Sequence, residues 1–384
     1  MQVYSLKSRL VICFALLVAA FSSISNAALP VPPAPQIEAN AWILIDYDSN
    51  KVLAENKPDK KIEPASLTKL MTAYLAFSAI KEGRLQLDQR LPVSDNAWRA
   101  EGSRMFLDPK QPASVDDLLK GVIVQSGNDA CIVLAEAIAG TEDSFASMMN
   151  AMAKKLGMKQ TNFLNSTGLP HPRHLTTARD LSLLASALIR DFPEFYKIYS
   201  LQEFKYNNIT QPNRNRLLFI DPSVDGFKTG HTNSAGYCLI ASAKREKRRL
   251  LSVVLGAKSD AARAMESQKL LNFGFQFYET VKLYPANQAV SKLRLYKGTL
   301  SEVKAGFLSD LHVTVPRGTG KRIQAQMVSQ QPLLAPIKRG QQLGTLRLTV
   351  DGQAAGEYPM LALESVPVAG ILGRGWDNIL LMFK

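Results

Sequence analysis

The texture of the chain changes once, near Thr280, and that break limits the fold more than any other feature. Before it, apolar residues recur at helical spacing over several long stretches. After it, short alternating segments separated by turns take over. A chain of 384 residues outgrows a single core, so the break predicts a mixed helix-and-strand domain followed by a small all-β domain.

Upstream, Ala41-Trp-Ile-Leu-Ile-Asp-Tyr47, the turn Asp48-Ser49-Asn50 and Lys51-Val-Leu-Ala-Glu55 read as a hairpin. Pro64 opens a helix carrying Leu67, Leu70, Met71, Tyr74, Leu75 and Phe77 and ending near Gly83. Helical patterns recur at 116–125, 128–140, 143–156 and 177–190; strands are predicted at 224–230, 235–243 and 249–256, then a helix at about 260–277. Downstream, alternating segments cover Val290–Tyr296, Leu311–Val315, Arg322–Met327 and Thr345–Val350, and Asp351-Gly352 is a hairpin turn signal.

The two ends address the protein. Lys7 and Arg9 precede the apolar run Leu10–Phe21, and Ser25-Asn26-Ala27 follows. That is a signal peptide over 1–27, with cleavage expected after Ala27. Residues 28–36 form a stiff Pro-rich leader. At the other end, Val368, Leu372, Trp376, Ile379, Leu380 and Phe383 share one side of a helical projection. Residues 366–384 are too short and polar to span a bilayer and are expected to lie in its interface. Between the ends, the domains are expected at 37–277 and 278–365.

Net charge is +13, yet no dense basic stretch interleaved with aromatics appears, and no nucleic-acid partner is expected. The strongest basic run, Lys244-Arg-Glu-Lys-Arg-Arg249, lies between two apolar segments and reads as a solvated hairpin turn. Cys131 and Cys238 read as buried free thiols. His171-Pro-Arg-His174 has metal-like spacing but no acidic third ligand, and reads as a Pro-rich loop with two solvated histidines. Neither a metal nor a cofactor is expected.

Three short motifs carry chemistry. Ser-x-x-Lys occurs at Ser66–Lys69, Ser78–Lys81 and Ser301–Lys304; Ser-x-Asn occurs at Ser94–Asn96 and Ser126–Asn128; Lys228-Thr229-Gly230 occurs once. Each is weak alone, and context selects the copy. One helical turn separates Ser66 from Lys69, and Pro64 places Ser66 where free N–H groups and the helix dipole favour a developing oxyanion. Lys69 acts as a base only if its pKa falls, through burial and through a second cation, Lys228. Ser78 lies mid-helix and Ser301 in the β-rich region. Ser126-Gly127-Asn128 joins two helical segments, where glycine lets the chain turn a hydroxyl and an amide into a cleft. Ser94-Asp95 reads instead as a helix cap. Lys228-Thr229-Gly230 ends an apolar strand, expected at a sheet edge, where a peptide adds alongside and its carboxylate meets Lys228 and Thr229.

In this order the three motifs resemble the signature elements of serine penicillin-recognising enzymes. Ala41-Trp-Ile-Leu-Ile-Asp-Tyr47, Glu63-Pro-Ala-Ser-Leu-Thr-Lys-Leu-Met-Thr72, Ser126-Gly-Asn-Asp-Ala130 and Gly226-Phe-Lys-Thr-Gly-His-Thr232 resemble low-molecular-mass penicillin-binding proteins of the D-alanyl-D-alanine carboxypeptidase family. The likeness covers about residues 37–277 by motif, and the β-rich domain and tail by layout. It implies an α+β fold, an antiparallel sheet with flanking helices as in the DD-peptidase/β-lactamase superfamily, followed by a small all-β domain.

The resemblance also implies a mechanism and partners. Ser66 attacks the carbonyl between the terminal D-alanines of a peptidoglycan stem pentapeptide, and Lys69 takes its proton. Ser126 and Lys228 relay a proton to the departing D-alanine, while Asn128 holds the substrate amide. Backbone N–H groups of Ser66 and His231 form the oxyanion hole, Thr229 binds the terminal carboxylate with help from Arg214, and Gly230 permits close approach. β-Lactam antibiotics acylate Ser66. The protein works at the periplasmic face of the inner membrane, held through its tail. A β-lactamase shares the motifs but needs neither β-rich appendage nor tail. A DD-endopeptidase uses the same chemistry on cross-links, and a noncatalytic wall-binding scaffold is the alternative from another class.

Overall fold

Two apolar runs organise the first domain. In β1 (Ala41–Asp46) every residue is buried, with Ala41, Ile43 and Ile45 in one core and Trp42 and Leu44 in another. Successive strand side chains point to opposite faces, so a continuous apolar run marks a strand covered on both sides. The computed structural model describes residues 31–329 and 331–371, with Asp377, Asn378 and Leu381. The expected signal peptide and the tail residues Leu372, Trp376, Ile379, Leu380 and Phe383 lie outside the described residues.

After β1 come β2 (Val52–Asn56), a 3₁₀ turn (Ala65–Thr68), α1 (Lys69–Lys81), α2 (Val115–Lys120), α3 (Asn128–Ala139), α4 (Glu142–Lys155) and α5 (Ala178–Asp191). A hairpin follows, β3 (Glu203–Tyr206) and β4 (Ile209–Pro212), then β5 (Val224–Thr232), β6 (Gly236–Arg245), β7 (Arg248–Ala257) and α6 (Asp260–Phe277). The sheet is antiparallel in the order β2-β1-β7-β6-β5, which leaves β5 at an edge, as its position at the end of an apolar strand predicts. α6 covers one face with Leu270, Leu271 and Phe273. The other face packs on a helical layer centred on α1, which is buried nearly all round, as an almost wholly apolar helix must be.

The β-rich region has β8 (Tyr278–Tyr284), β9 (Ala289–Tyr296), β10 (Glu302–Gly306), β11 (Leu311–Pro316), β12 (Ile323–Ser329), β13 (Leu333–Leu334), β14 (Gln342–Val350) and β15 (Gln353–Ala362). Six of them form one sheet in the order β12-β14-β15-β10-β9-β13, while β8 pairs with β11. Leu293, Leu295, Val303, Leu346, Leu348 and Met360 fill its separate core. Asp351 and Gly352 turn the β14–β15 hairpin with φ of +51° and +79°. The fold is therefore α+β with a distinct all-β domain. Val366 is buried in that domain's core, the Thr299 N–H donates to the Pro367 carbonyl at 3.0 Å, and the Ala369 N–H donates to the Lys297 carbonyl at 2.8 Å.

The basic run corrects one expectation. Its hairpin turn, Glu246-Lys247, is exposed as expected, and so is Lys244, but the side chains of Arg248 and Arg249 are only 14% and 11% exposed. Arg249 makes a two-pronged pair with Asp225 at 2.6 and 2.7 Å, and Arg248 reaches Asp46 at 2.8 Å. Strand geometry folds these side chains back over neighbouring carboxylates, where the bidentate match outweighs hydration. Asp46, fully buried, also accepts from the Ser49 N–H and the Thr280 hydroxyl. Arg248 donates to the carbonyls of Gly274 and Tyr278, and Ser49 and Lys51 reach Thr314 of β11. One buried ion pair thus joins the two domains.

Replacing Asp46 strands that guanidinium without its countercharge. Asp46→Ala is expected to destabilise the protein by about 3 kcal/mol, read as a fall in the denaturant midpoint at unchanged slope.

Candidate active site

Ser66 sits in the tight turn Ala65–Thr68, one step before α1 begins at Lys69. The helix thus starts later than the Pro64 signal implies, because a 3₁₀ turn tightens the entry. Lys69 Nζ lies 3.2 Å from Ser66 Oγ and donates to the carbonyl of Thr167. The segment 165–176 wraps over this turn. Thr72 donates to the Ser166 carbonyl at 2.6 Å, and His174 Nε2 lies 3.0 Å from Thr68 Oγ1. Gly168, at φ +89°, approaches so closely that a Cβ there would lie 1.9 Å from the Ala65 carbonyl oxygen; only glycine fits. His174 is buried, against the expectation of two solvated histidines, and burial pulls its pKa down to about 4. His171 remains exposed. Among the described residues no cluster of His, Cys, Asp or Glu could hold a metal.

Ser126 follows a π-helical turn, Gly121–Gln125, and adopts the left-handed conformation at φ +63°. It is buried, and its hydroxyl has no hydrogen-bond partner among the described residues. Asn128 opens α3 and donates its side-chain amide to the Glu101 carbonyl at 2.6 Å. Its backbone N–H reaches Ser103 at 2.7 Å, so Asn128 is tied into the loop at 101–107. The other Ser-x-Asn copy is a cap: Ser94 Oγ accepts from the Ala97 N–H at 3.0 Å.

Lys228, Thr229 and Gly230 lie on the edge strand β5, hard against the serine turn. A Cβ on Gly230 would come within 3.1 Å of the Pro64 carbonyl and 3.2 Å of the Leu67 nitrogen. Ser66, Ser126, Thr229, Gly230, His231 and Arg214 line one cleft of about 720 Å³. A larger cavity, about 960 Å³, lies at the domain junction beside Arg248, Thr280 and His312 and holds none of the motif residues. The smaller cleft is the chemical one: Ser66 lines it, with the buried Lys69 amine 3.2 Å from its hydroxyl, while Lys69, Asn128 and Lys228 do not themselves line it.

Burial lowers the Lys69 pKa to about 8, and the nearby Arg214 guanidinium adds to that, whereas Cys131 and Asp129 oppose it. The sequence expectation assigned this help to Lys228. Instead, Lys228 is itself held well below its ordinary value, by burial first and then by Lys69, Arg214 and Arg263. Desolvation also lowers the pKa of Arg214, at the cleft mouth. Cys131 and Cys238 are buried free thiols, as expected.

Several site residues escaped the sequence reading. Thr167 belongs to no motif. Gln125, Ser103, Arg216 and Tyr237 also line the cleft. Arg263 reaches back from α6 to the Gly230 carbonyl at 3.1 Å. Only the adjacency of Gln125 to Ser126 offered a signal.

A family model described as D-alanyl-D-alanine carboxypeptidase matches residues 28–259, and one described as penicillin-binding protein 5, C-terminal domain, matches residues 278–368. The chain belongs to the D-alanyl-D-alanine carboxypeptidase family. It is 45% identical to D-alanyl-D-alanine carboxypeptidase DacC of Escherichia coli, over 94% of this chain and 93% of that one. The structure of penicillin binding protein 5 from Haemophilus influenzae superposes with a TM-score of 0.85 at 40% identity, covering 88% of this chain and 99% of that one. Penicillin-binding protein D2 from Listeria monocytogenes, in its ampicillin-bound form, matches at 33% identity and a TM-score of 0.59, over 64% of this chain and all (100%) of that one. Membership of this carboxypeptidase family makes the protein an enzyme, a hydrolase of the penicillin-binding kind.

Proposed function

We propose that this carboxypeptidase removes the terminal D-alanine from peptidoglycan stem pentapeptides through an acyl-enzyme on Ser66. The observation that carries the reading is a serine hydroxyl 3.2 Å from an amine that burial has brought to a pKa of about 8. An ordinary lysine is almost wholly protonated near neutrality and cannot take a proton. Lys69 offers a usable fraction of free amine.

Ser66 Oγ attacks the carbonyl between the two D-alanines while its proton passes to Lys69. The tetrahedral oxyanion rests on the backbone N–H groups of Ser66 and His231. As the peptide C–N bond breaks, the unpartnered Ser126 hydroxyl relays a proton from the amine pair Lys69 and Lys228 to the departing nitrogen. Water then attacks the ester, the proton returns, and Ser66 is freed. The substrate adds beside β5, its carboxylate on Thr229 and Arg214 and its amide near Asn128. A β-lactam is processed the same way to a penicilloyl ester.

The length over which DacC aligns, both domains included, favours the carboxypeptidase over a wall-binding scaffold. The reading also places the protein at the periplasmic face of the inner membrane, cleaved after Ala27 and held peripherally by its amphipathic tail. No described helix is long and apolar enough to cross a membrane.

Ser66→Ala is expected to abolish covalent labelling by fluorescent penicillin and to lower D-alanine release about a thousandfold or more. Equal labelling of both proteins defeats the assignment. In the wild type, the penicillin acylation rate should rise roughly tenfold per pH unit below about 8 and level above it, because only neutral Lys69 accepts the proton; a flat stopped-flow profile from pH 6 to about 9 rejects the amine as base. For the tail, truncation must spare Val366–Ala369, which belong to the β domain's bonding. Ending the chain at Ala369 should move the protein from the membrane to the soluble fraction with turnover of small peptides retained, and persistence in the membrane would show a different anchor.

A further inference from the structure

The loop after β4 alternates in burial. Asn213 and Asn215 are buried, while Arg214 and Arg216 are exposed between and beyond them. The asparagines lock the loop: Asn213 Nδ2 donates to the Leu201 carbonyl at 2.8 Å, its Oδ1 accepts from the Asn215 N–H at 2.9 Å, and Asn215 Oδ1 accepts from the Leu217 N–H at 3.2 Å. This alternation delivers two guanidinium groups to the cleft that holds Ser66.

Charge in that cleft is unbalanced. Arg214, Arg216 and Arg263 face the single carboxylate of Asp260. Arg263 is already committed, with one nitrogen on the Gly230 carbonyl, another on Asp260 and its plane over the Tyr237 ring. Arg216 shares the same Asp260 only at 3.6 Å, and its side chain is 59% exposed. An exposed pair this long contributes little, so Arg216 is free to exchange Asp260 for an incoming anion.

We propose that Arg216 is a specificity-determining residue, an outer cationic station that meets the free terminal carboxylate of the substrate before Arg214 and Thr229 take it up. The proposal rests on the D-alanyl-D-alanine reading of the cleft. Its chemistry is electrostatic capture: a cation at the mouth of a positively lined cleft raises the encounter rate for anions and acts before the bond-making step. It therefore lowers KM and leaves kcat in place.

The test measures D-alanine release from a diacetylated Lys-D-Ala-D-Ala tripeptide by wild type, Arg216→Gln and Arg216→Lys across a sodium chloride series. Wild-type kcat/KM should fall as salt screens the rim. Arg216→Gln should raise KM about fivefold at low salt, keep kcat within about twofold and flatten the salt dependence, whereas Arg216→Lys should restore most of the slope. Stoichiometric fluorescent-penicillin labelling of each variant confirms an intact Ser66 turn. Unchanged KM and salt slope in Arg216→Gln overturn the proposal, as does a loss confined to kcat. Failure of the wild type itself to release D-alanine would instead reject the reading of the cleft.

Discussion

The architecture turns on the burial of one ammonium group. Lys69 is 1% exposed and, among the described residues, hydrogen-bonds to a serine hydroxyl and a loop carbonyl. Charged, it would lose hydration that these contacts do not replace, and burial outweighs the pull of Asp129; neutral, it fits. Three separate pieces of chain create that condition. The apolar helix α1 surrounds its base, the 165–168 segment closes over it through Gly168, and β5 presses Gly230 against the serine turn. At Gly168 a methyl group would collide with backbone, and at Gly230 it would crowd the Pro64 carbonyl and the Leu67 nitrogen. The fold holds a reactive amine by leaving it few places to be charged.

Much of this was legible beforehand, for identifiable reasons. Helices such as α4 and α5 announce themselves through the periodicity of their apolar residues. β1 and β7 show as unbroken apolar runs because the sheet is covered on both faces. The three motifs could be sorted by context: Ser94 is a cap, and Ser126 ends a helix in a left-handed conformation. What stayed hidden depends on tertiary approach. The β3–β4 hairpin has only four residues in each strand, and its second strand, Ile209–Pro212, is largely exposed with no alternation to read. β8 and β10 are short or evenly wetted. Thr167 acts through its carbonyl, which no side chain advertises, and the burial of His174 follows from a loop path that spacing alone does not encode.

The basic run shows how charge misleads when read in one dimension. Five cations in six residues look like a solvated tip, yet the side chains of Arg248 and Arg249 are only 14% and 11% exposed. Arg248 is matched by Asp46, some two hundred residues earlier in the chain, and the pair holds β8 and β11 against the catalytic domain. A formal net charge of +13 therefore overstates the positive surface available for partners.

The position of β5 has a further consequence. An outermost strand with bare backbone groups will accept any extended chain of suitable shape, a neighbouring protein molecule as readily as a wall peptide. Here the edge is largely buried and sunk between the serine turn on one side and the asparagine-locked loop on the other. A slim peptide enters such a slot, whereas a strand still attached to a folded neighbour is too bulky. Recessing the docking edge thus protects the enzyme from sticking to itself without closing it to substrate.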